Sequence, residues 1–328
     1  MARWAGHRKF IGTFSQGFAL GWENGRPFGA DGSLAARMIN ESHFFGEYLM
    51  AEITAAAVKA LREKTGLPMM DCKKALTEAG GDMDLAVVKL REAGAKVAEK
   101  RSGRATTAGR IAVFSDIAGK VGAMVDLRCE SAPVSNNEEF VQLADNLVAQ
   151  LAKGPGAATP DALLAQPSPS KPGQTLKAQL DDLFNRIREV FKVERVVRID
   201  AACGGYAHHN GAVGVLLQVE GGNEELARDI CMHIAAMRPT ATSREELDPA
   251  EVAKEREILS VQARNEGKPE KIIEKMVEGR LKDFYAQRCL LDQPIANEMK
   301  YGKKTIAQAA QEAGMKVVRF VHWELPKE

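Results

Sequence analysis

The chain has 328 residues, which is long enough for two or three domains, each with its own hydrophobic core. Its 45 basic and 44 acidic residues nearly cancel, so we expect no direct binding of nucleic acid and no attraction to a membrane surface. No apolar run in the sequence approaches the ~20 residues that cross a bilayer.

The five cysteines occur singly, without a CxxC pair or a nearby histidine at zinc-ligand spacing. We therefore expect no metal and no cofactor. An odd number of cysteines in a chain of this length suits a reducing compartment, which predicts a cytoplasmic protein with buried thiols. The cysteines are Cys72, Cys129, Cys203, Cys231 and Cys289.

Residues 1–49 differ from the rest of the chain, because they are rich in Gly, Phe and Trp and have no sustained hydrophobic period. Such a segment predicts either a disordered extension or a coding sequence whose true start is Met50. Acidic residues such as Glu23 and Asp31 disfavour a transit peptide.

Two short helices around a tight turn are predicted in residues 61–76, which read LREKTGLPMMDCKKAL. Gly66 suits the left-handed position after the first helix, and Pro68 suits the start of the second. Met69 and Met70 follow at the corner, where flexible thioethers can adapt to a partner surface. Periodicity alone leaves open whether these methionines form a docking surface or belong to the core of a small helical domain.

A third helix is predicted to begin at an Asp82 cap and to stop at Gly94, with Leu85 among its apolar positions. Beyond it, residues 96–110 contain several basic side chains together with Gly and Thr. We interpret this stretch as a solvated linker, with a basic arm that binds RNA or a partner as the alternative.

After residue 105 the chain shows two units of strand and helix patterns. Two β-rich runs joined around Gly119 predict a hairpin, and a helix follows. A Pro-rich stretch at 154–173 predicts a surface loop between halves of the core. We place the first subdomain at 105–180 and the second at 181–328, and assign the strand-like run VERVVRIDAA to the second.

A helical hairpin is predicted at about residues 245–290, with a capping box at Ser243 and Glu246. Its apolar stripes are narrow, which favours a protruding arm over a hairpin packed on the core. A last helix and the strand KVVRFVHWEL would return to the core sheet. His233, on the apolar helix before the hairpin, is expected to be a core residue.

Three segments carry a resemblance to a known family: LREKTGLPMMDCKKAL, TEAGGDMDLAVVKLREAGAKVAEK and GKPEKIIEKMVEGRLKDFY. They resemble bacterial elongation factor Ts, and the similarity covers most of the chain from Met50 onward. The family comprises guanine nucleotide exchange factors for the translation GTPase elongation factor Tu. The resemblance therefore implies a protein that is not an enzyme, binds elongation factor Tu in its GDP form and promotes GDP release during translation elongation.

The same resemblance implies an α+β fold, with a three-helix ubiquitin-associated-like domain at 50–104, a two-subdomain core and a protruding antiparallel coiled coil. In the family, the helix and turn that match Arg62, Met69 and Met70 contact the GTPase, so the resemblance implies partner binding by these residues. Asp71 is expected on a solvated helix face. Hairpin arms can mediate dimer contacts in this family, so a homodimer is a further expectation.

In the family, a loop with the pattern Cys, Glu or Gln, Thr, Asp, Phe, Val inserts its Asp and Phe into the partner. The matching stretch here, CESAPVSNNEEF, has Ser131, Ala132 and Pro133 in place of Thr, Asp and Phe, and keeps Val134. Ala132 offers no charge, and Pro133 offers a smaller apolar ring. We expect Pro133 to keep Ala132 extended, so that the loop fills the same space. The sequence leaves open whether this loop supports full exchange.

The segment YAHHNGAVGVLL at 206–217 resembles a second partner-binding region of the family, which implies contacts by His208 and His209. A basic residue is common where Ala212 stands, so that contact is weakened. The alternative is a turn between strands with two exposed histidines. Cys203 near His208 is disfavoured as a nucleophile, because no third orienting group can be named.

Two further interpretations remain open. A diverged paralogue would bind the GTPase without accelerating exchange, and the substituted loop at 131–133 motivates it. A ubiquitin-associated-like interaction module or an RNA-binding module would rely instead on the three-helix domain and the basic stretch at 96–110.

Overall fold

A computed structural model describes residues 53–267 and 269–326, and the prediction for residues 1–49 lies outside these ranges. A small helical unit comes first, and two three-stranded antiparallel sheets follow in the described residues. The sheets pack against each other, and helices cover the outer face of each. Within the described ranges, no helix is both long and apolar enough to cross a membrane.

The helical unit comprises α1 (Ala55–Thr65), α2 (Met69–Glu78) and α3 (Met83–Arg101). Thr54 caps the start of α1, and Gly66 ends this helix with a φ of 70°, as predicted. Asp82 caps α3, also as predicted. The three helices enclose a small apolar core that includes Val58, Leu61, Leu67, Cys72, Leu76, Ala86 and Leu90.

The prediction that the third helix stops at Gly94 is wrong, because α3 continues to Arg101. Gly94 instead permits close helix packing, since an added Cβ would lie 1.8 Å from Oδ1 of Asn185. Leu85, predicted on the apolar face, is 45% exposed. The basic stretch is not a linker either, because Arg101 ends a helix and Arg110 lies in the first strand.

The first sheet and its helices comprise β1 (Ala108–Asp116), β2 (Val121–Cys129), α4 (Ala132–Ser135), α5 (Glu138–Lys153), α6 (Pro160–Leu164), α7 (Leu176–Ile187) and β3 (Lys192–Ile199). β1 and β2 form the predicted hairpin, and Lys120 in its turn has a φ of 51°. Alternate residues of β2, such as Val125 and Leu127, belong to the core that α5 and α7 share with this sheet.

β3 joins the first sheet, although we assigned this strand to the second subdomain. It pairs with β2, and Val125 stands opposite Val196. β2 is buried along almost its whole length, so its backbone needs a partner strand on each edge. The Pro-rich loop does not separate two halves, because Leu163 of α6 is buried in the first core. The first sheet therefore extends to Ile199 rather than ending at residue 180.

The second sheet and the remaining helices comprise β4 (Cys203–Ala207), β5 (Val213–Gly221), α8 (Glu224–Met237), α9 (Pro249–Asn265), α10 (Glu270–Arg288), α11 (Glu298–Tyr301), α12 (Ile306–Glu312) and β6 (Met315–Glu324). β6 returns to pair with β5, as predicted. His233 is a buried core residue, also as predicted: Nε2 lies 2.8 Å from Oε1 of Gln293, and Nδ1 accepts a bond from the N–H of Ala296. Burial lowers the pKa of His233, so its ring is neutral at pH 7.

The two sheets approach closely where glycine replaces a side chain. A Cβ added to Gly214 of β5 would lie 2.4 Å from Cγ2 of Ile111 in β1. A buried ionic network adds to the first sheet, because Asp126 accepts bonds from Arg128 and Arg195. Arg195 also donates a 3.2 Å bond to the carbonyl of Glu324 in β6, so this network links the two sheets.

α9 and α10 form the predicted helical hairpin. α9 begins at Pro249 with Asp248 as its cap, so the predicted capping box is wrong. Ser243 makes no capping bond, and Glu246 accepts one from the N–H of Thr242. A narrow apolar seam joins the two helices, and it contains Leu259, Ala263, Ile273, Val277 and Leu281.

Candidate partner-binding surface

Two adjacent methionines lie exposed at the start of α2. Met69 has 49% and Met70 has 73% of its surface accessible, whereas Cys72 in the same helix is buried. Arg62 is exposed nearby, and its carbonyl accepts the bond from Gly66 that closes α1. The alternative that these methionines belong to the helical core is therefore wrong. We term Arg62, Met69 and Met70 the docking corner.

The backbone of the docking corner is held from behind. A Cβ on Gly66 would lie 2.8 Å from Cδ of Arg186 in α7, and Arg186 in turn pairs with Glu139 of α5. The Oγ1 of Thr65 donates a 2.7 Å bond to the carbonyl of Leu61. The corner thus combines flexible thioether side chains with a fixed main chain.

Asp71 follows the two methionines, and it is not the simple solvated residue that we expected. Its carboxylate pairs with Arg188, which directly follows α7. Arg188 has a φ of 66°, and its N–H ends α7 by donating to the carbonyl of Phe184. The carbonyl of Arg188 accepts a bond from the guanidinium of Arg101. The sequence gives no signal for these contacts, because Arg188 occupies a helix-ending position that usually takes Gly.

The candidate exchange loop, residues 131–134, follows β2. Ser131 is extended, with φ of −128° and ψ of 146°, whereas Ala132 already begins the single turn α4. The expectation that Pro133 keeps Ala132 extended is therefore wrong, because a first helical turn accepts proline. Ala132 and Pro133 are exposed, and Val134 is half-buried against the first core. The loop presents a small apolar tip.

Two glutamates anchor the exchange loop to the segment after α7. Glu189 accepts bonds from both the N–H and the hydroxyl of Ser131, at 3.1 and 2.6 Å. Glu130 accepts bonds from the N–H of Val190 at 2.8 Å and from Arg104 at 2.9 Å. Burial acts to raise the pKa of Glu130, but these two bonds and the positive charges of Arg104 and Arg101 together hold the pKa below its usual value. No sequence pattern predicted a role for either glutamate.

The predicted histidine pair lies in the turn between β4 and β5. The N–H of His208 bonds the carbonyl of Val213 at 2.9 Å, and Nδ1 of His208 lies 2.8 Å from the hydroxyl of Tyr206. His208 is half-buried, whereas His209 is exposed, with its ring centroid 4.3 Å from that of His208. Only His209 is therefore fully available on this turn, and His208 supports it.

A cleft of about 360 Å³ lies between the exchange loop and the histidine turn. Ala132 and Asn136 line it on one side, and Asn210 and Ala212 line it on the other. The structure thus brings together two regions that are far apart in the chain, since Ala132 and Asn210 are separated by 78 positions.

A nucleophile at Cys203 finds no support in the structure. The thiol is buried, and burial raises its pKa to about 11, which disfavours the reactive thiolate. Across the part of the chain that the structure describes, no three His, Cys, Asp or Glu side chains are grouped so that they could hold a metal ion.

Comparisons with known proteins identify the family of the chain. The family model for elongation factor Ts matches residues 130–327. Elongation factor Ts of Thioalkalivibrio sulfidiphilus is 41% identical over 277 residues, which cover 83% of this chain and 92% of the relative. The protein of Clostridium botulinum, strain Eklund 17B, is 43% identical over 83% of this chain and 92% of the relative. That of Saccharopolyspora erythraea is 41% identical over 84% of this chain and 99% of the relative. These matches define a translation elongation factor. The chain belongs to the elongation factor Ts family.

Proposed function

We propose that this protein binds elongation factor Tu in its GDP form and accelerates the release of GDP during translation elongation. The observation that carries this proposal is the docking corner, where two adjacent methionines are exposed on a fixed backbone. Solvent-exposed apolar side chains in a cluster mark interaction sites, and methionine adapts to a partner helix or groove. Family membership supplies the identity of the partner.

Nucleotide exchange needs no bond to be made or broken, so the protein acts without catalytic residues. The factor must weaken nucleotide binding, and by linkage the nucleotide weakens binding of the factor. A GTPase holds its nucleotide through backbone amides, a lysine and a magnesium ion, and displacement of these groups raises the off-rate. Each ~1.4 kcal/mol removed from the barrier raises that rate tenfold.

We assign affinity to the docking corner and displacement to the exchange loop together with His209. The loop has an apolar tip on a short helical turn, and Glu189 and Glu130 fix its base. Such a loop would act by shape, because Ala132 and Pro133 provide no charge and no aromatic ring. Under this proposal, the three-helix unit acts as a ubiquitin-associated-like docking domain, and α9 and α10 act as a coiled-coil arm.

The direct test follows release of fluorescent GDP from elongation factor Tu of the same organism, with increasing amounts of the full chain. The proposal predicts a release rate that rises and then saturates. A saturable complex without acceleration would refute exchange activity and would support the second candidate function, a paralogue that binds the GTPase without exchange. That candidate is favoured by one observation, the replacement of an acidic and an aromatic residue by Ala132 and Pro133. Absence of any complex would refute both.

A further inference from the structure

We propose that residues 188–190 form a positioning junction that fixes the distance between the docking corner and the exchange loop. This inference rests on the proposed function, because it assigns the junction a role in converting partner binding into displacement. The junction residues are positioning residues, since they would act through the corner and the loop rather than touch the nucleotide.

The first half of the junction reaches the docking corner. Arg188 extends its guanidinium to the carboxylate of Asp71, which is the residue next to Met70. Its carbonyl is held at the same time by Arg101, the last residue of α3. One residue therefore contacts two of the three helices of the N-terminal unit.

The second half reaches the exchange loop through reciprocal bonds. Glu189 accepts from the N–H and hydroxyl of Ser131, while Glu130 accepts from the N–H of Val190. Each segment thus offers a carboxylate to the main chain of the other. Hydrogen bonds to an ionised acceptor are stronger than neutral ones. A movement of the junction would therefore carry the base of the exchange loop with it.

The junction sits on a rigid support. The C-terminal part of α7 packs against the helical unit at two glycines: Gly66 faces Arg186, and Gly94 faces Asn185 at a distance that excludes any Cβ. Displacement of the helical unit relative to the exchange loop would therefore have to break both the contacts of α7 and those of Arg188.

The ion pair between Arg188 and Asp71 adds little to folding stability and is better explained by a role in positioning. The side chains of Arg188 and Asp71 are 32% and 44% exposed, and such pairs contribute little to stability. The helical unit and the first sheet each have an apolar core of their own. The relative orientation of two contact regions, in contrast, is sensitive to small displacements. An ion pair that fixes their spacing should therefore affect the rate of GDP release more than the free energy of unfolding.

The test removes the guanidinium without disturbing the backbone. Arg188→Gly keeps the left-handed conformation, which glycine adopts freely, and keeps the carbonyl that Arg101 binds. Lys120→Gly is the matched control, because Lys120 is also basic with a positive φ but lies at the opposite end of the β1–β2 hairpin from the loop. Asp71→Asn tests the other partner of the ion pair.

The distance is measured directly with spin labels on Lys73→Cys in α2 and Asn136→Cys beside the loop, both exposed positions. The five native cysteines are buried, which favours selective labelling. Arg188→Gly should broaden the distance distribution, and Lys120→Gly should not. An unchanged distribution in Arg188→Gly would overturn the inference, whether or not the protein accelerates GDP release.

The kinetic readout separates positioning from binding. Arg188→Gly and Asp71→Asn should each lower the maximal GDP release rate about fivefold while the half-saturating concentration changes less than about twofold. The double variant should be no slower than either single variant, because both remove one interaction. Additive losses, or a change in half-saturation alone, would overturn the positioning role. If the unmodified chain gives no acceleration, the proposed function fails and the distance measurement alone decides the junction.

Discussion

The docking corner and the exchange loop are built in opposite ways. The corner places large flexible side chains, Met69 and Met70, in solvent on a backbone that packs against α7. The loop places small residues, Ala132 and Pro133, in solvent on a base held by charge-assisted bonds to Glu189. Under the proposed function, the corner would adapt to a partner surface, whereas the loop would act by its shape.

This contrast suggests a division of labour. Under the proposed function, adaptable thioethers would provide contact area and therefore affinity, while a fixed loop would provide shape and therefore displacement. If the division is right, changes at the corner should alter the half-saturating concentration of the protein. Changes at the loop should alter the maximal rate of GDP release.

The largest effect is expected from removal of the corner side chains. Met69→Ala combined with Met70→Ala should weaken binding to GDP-bound elongation factor Tu about 30-fold, because both exposed thioethers would lose their contacts. Titration calorimetry measures this change. Met299→Ala is the control, since Met299 is fully exposed on the distant α11, and it should bind like the unmodified chain. Equal affinity of the corner variant and the control would remove the corner from the interface.

A smaller effect is expected when the loop receives an acidic and an aromatic side chain. Ala132→Asp combined with Pro133→Phe should raise the maximal GDP release rate about tenfold, which corresponds to ~1.4 kcal/mol of barrier. Stopped-flow fluorescence at saturating factor measures it, with Met299→Ala on α11 as the control. An unchanged plateau would show that the loop side chains do not limit exchange.

The smallest expected effect is a change of folding stability with pH. It arises from buried histidines and not from the docking corner or the exchange loop. Burial lowers the pKa of His233 and of His322, so below pH ~6.5 the unfolded chain binds more protons than the folded chain. The contribution of these two neutral histidines to the free energy of unfolding is therefore fully present above this pH and is lost as the pH falls. The urea midpoint should drop by about 0.3 M between pH 7 and 5.5, and less in His233→Gln. His209→Gln, on the exposed turn, should leave the drop unchanged; a loss of the drop in that variant would contradict this account.

Local signals in the sequence predicted the features that depend on neighbouring residues. The turn at Gly66, the Asp82 cap, the β1–β2 hairpin and the seam of the helical hairpin each follow from a short pattern. His233 was also placed correctly, because its helix is apolar around it.

Features that depend on distant contacts could not be predicted in this way. Gly94 resembles a helix stop but is required by Asn185, which lies far along the chain. β3 joins the first sheet because β2 needs a second partner, and its own sequence does not identify that partner. The bond between Glu189 and Ser131 likewise joins residues 58 positions apart. The docking corner was predictable as a motif, whereas its link to the exchange loop was not.

The most direct test of the division of labour is one titration: the rate of GDP release against the concentration of the Met69→Ala, Met70→Ala variant. We predict that the half-saturating concentration rises about 30-fold while the plateau rate stays within about twofold of that of the unmodified chain. A plateau that falls in proportion to affinity would contradict the account, because the corner would then take part in displacement itself.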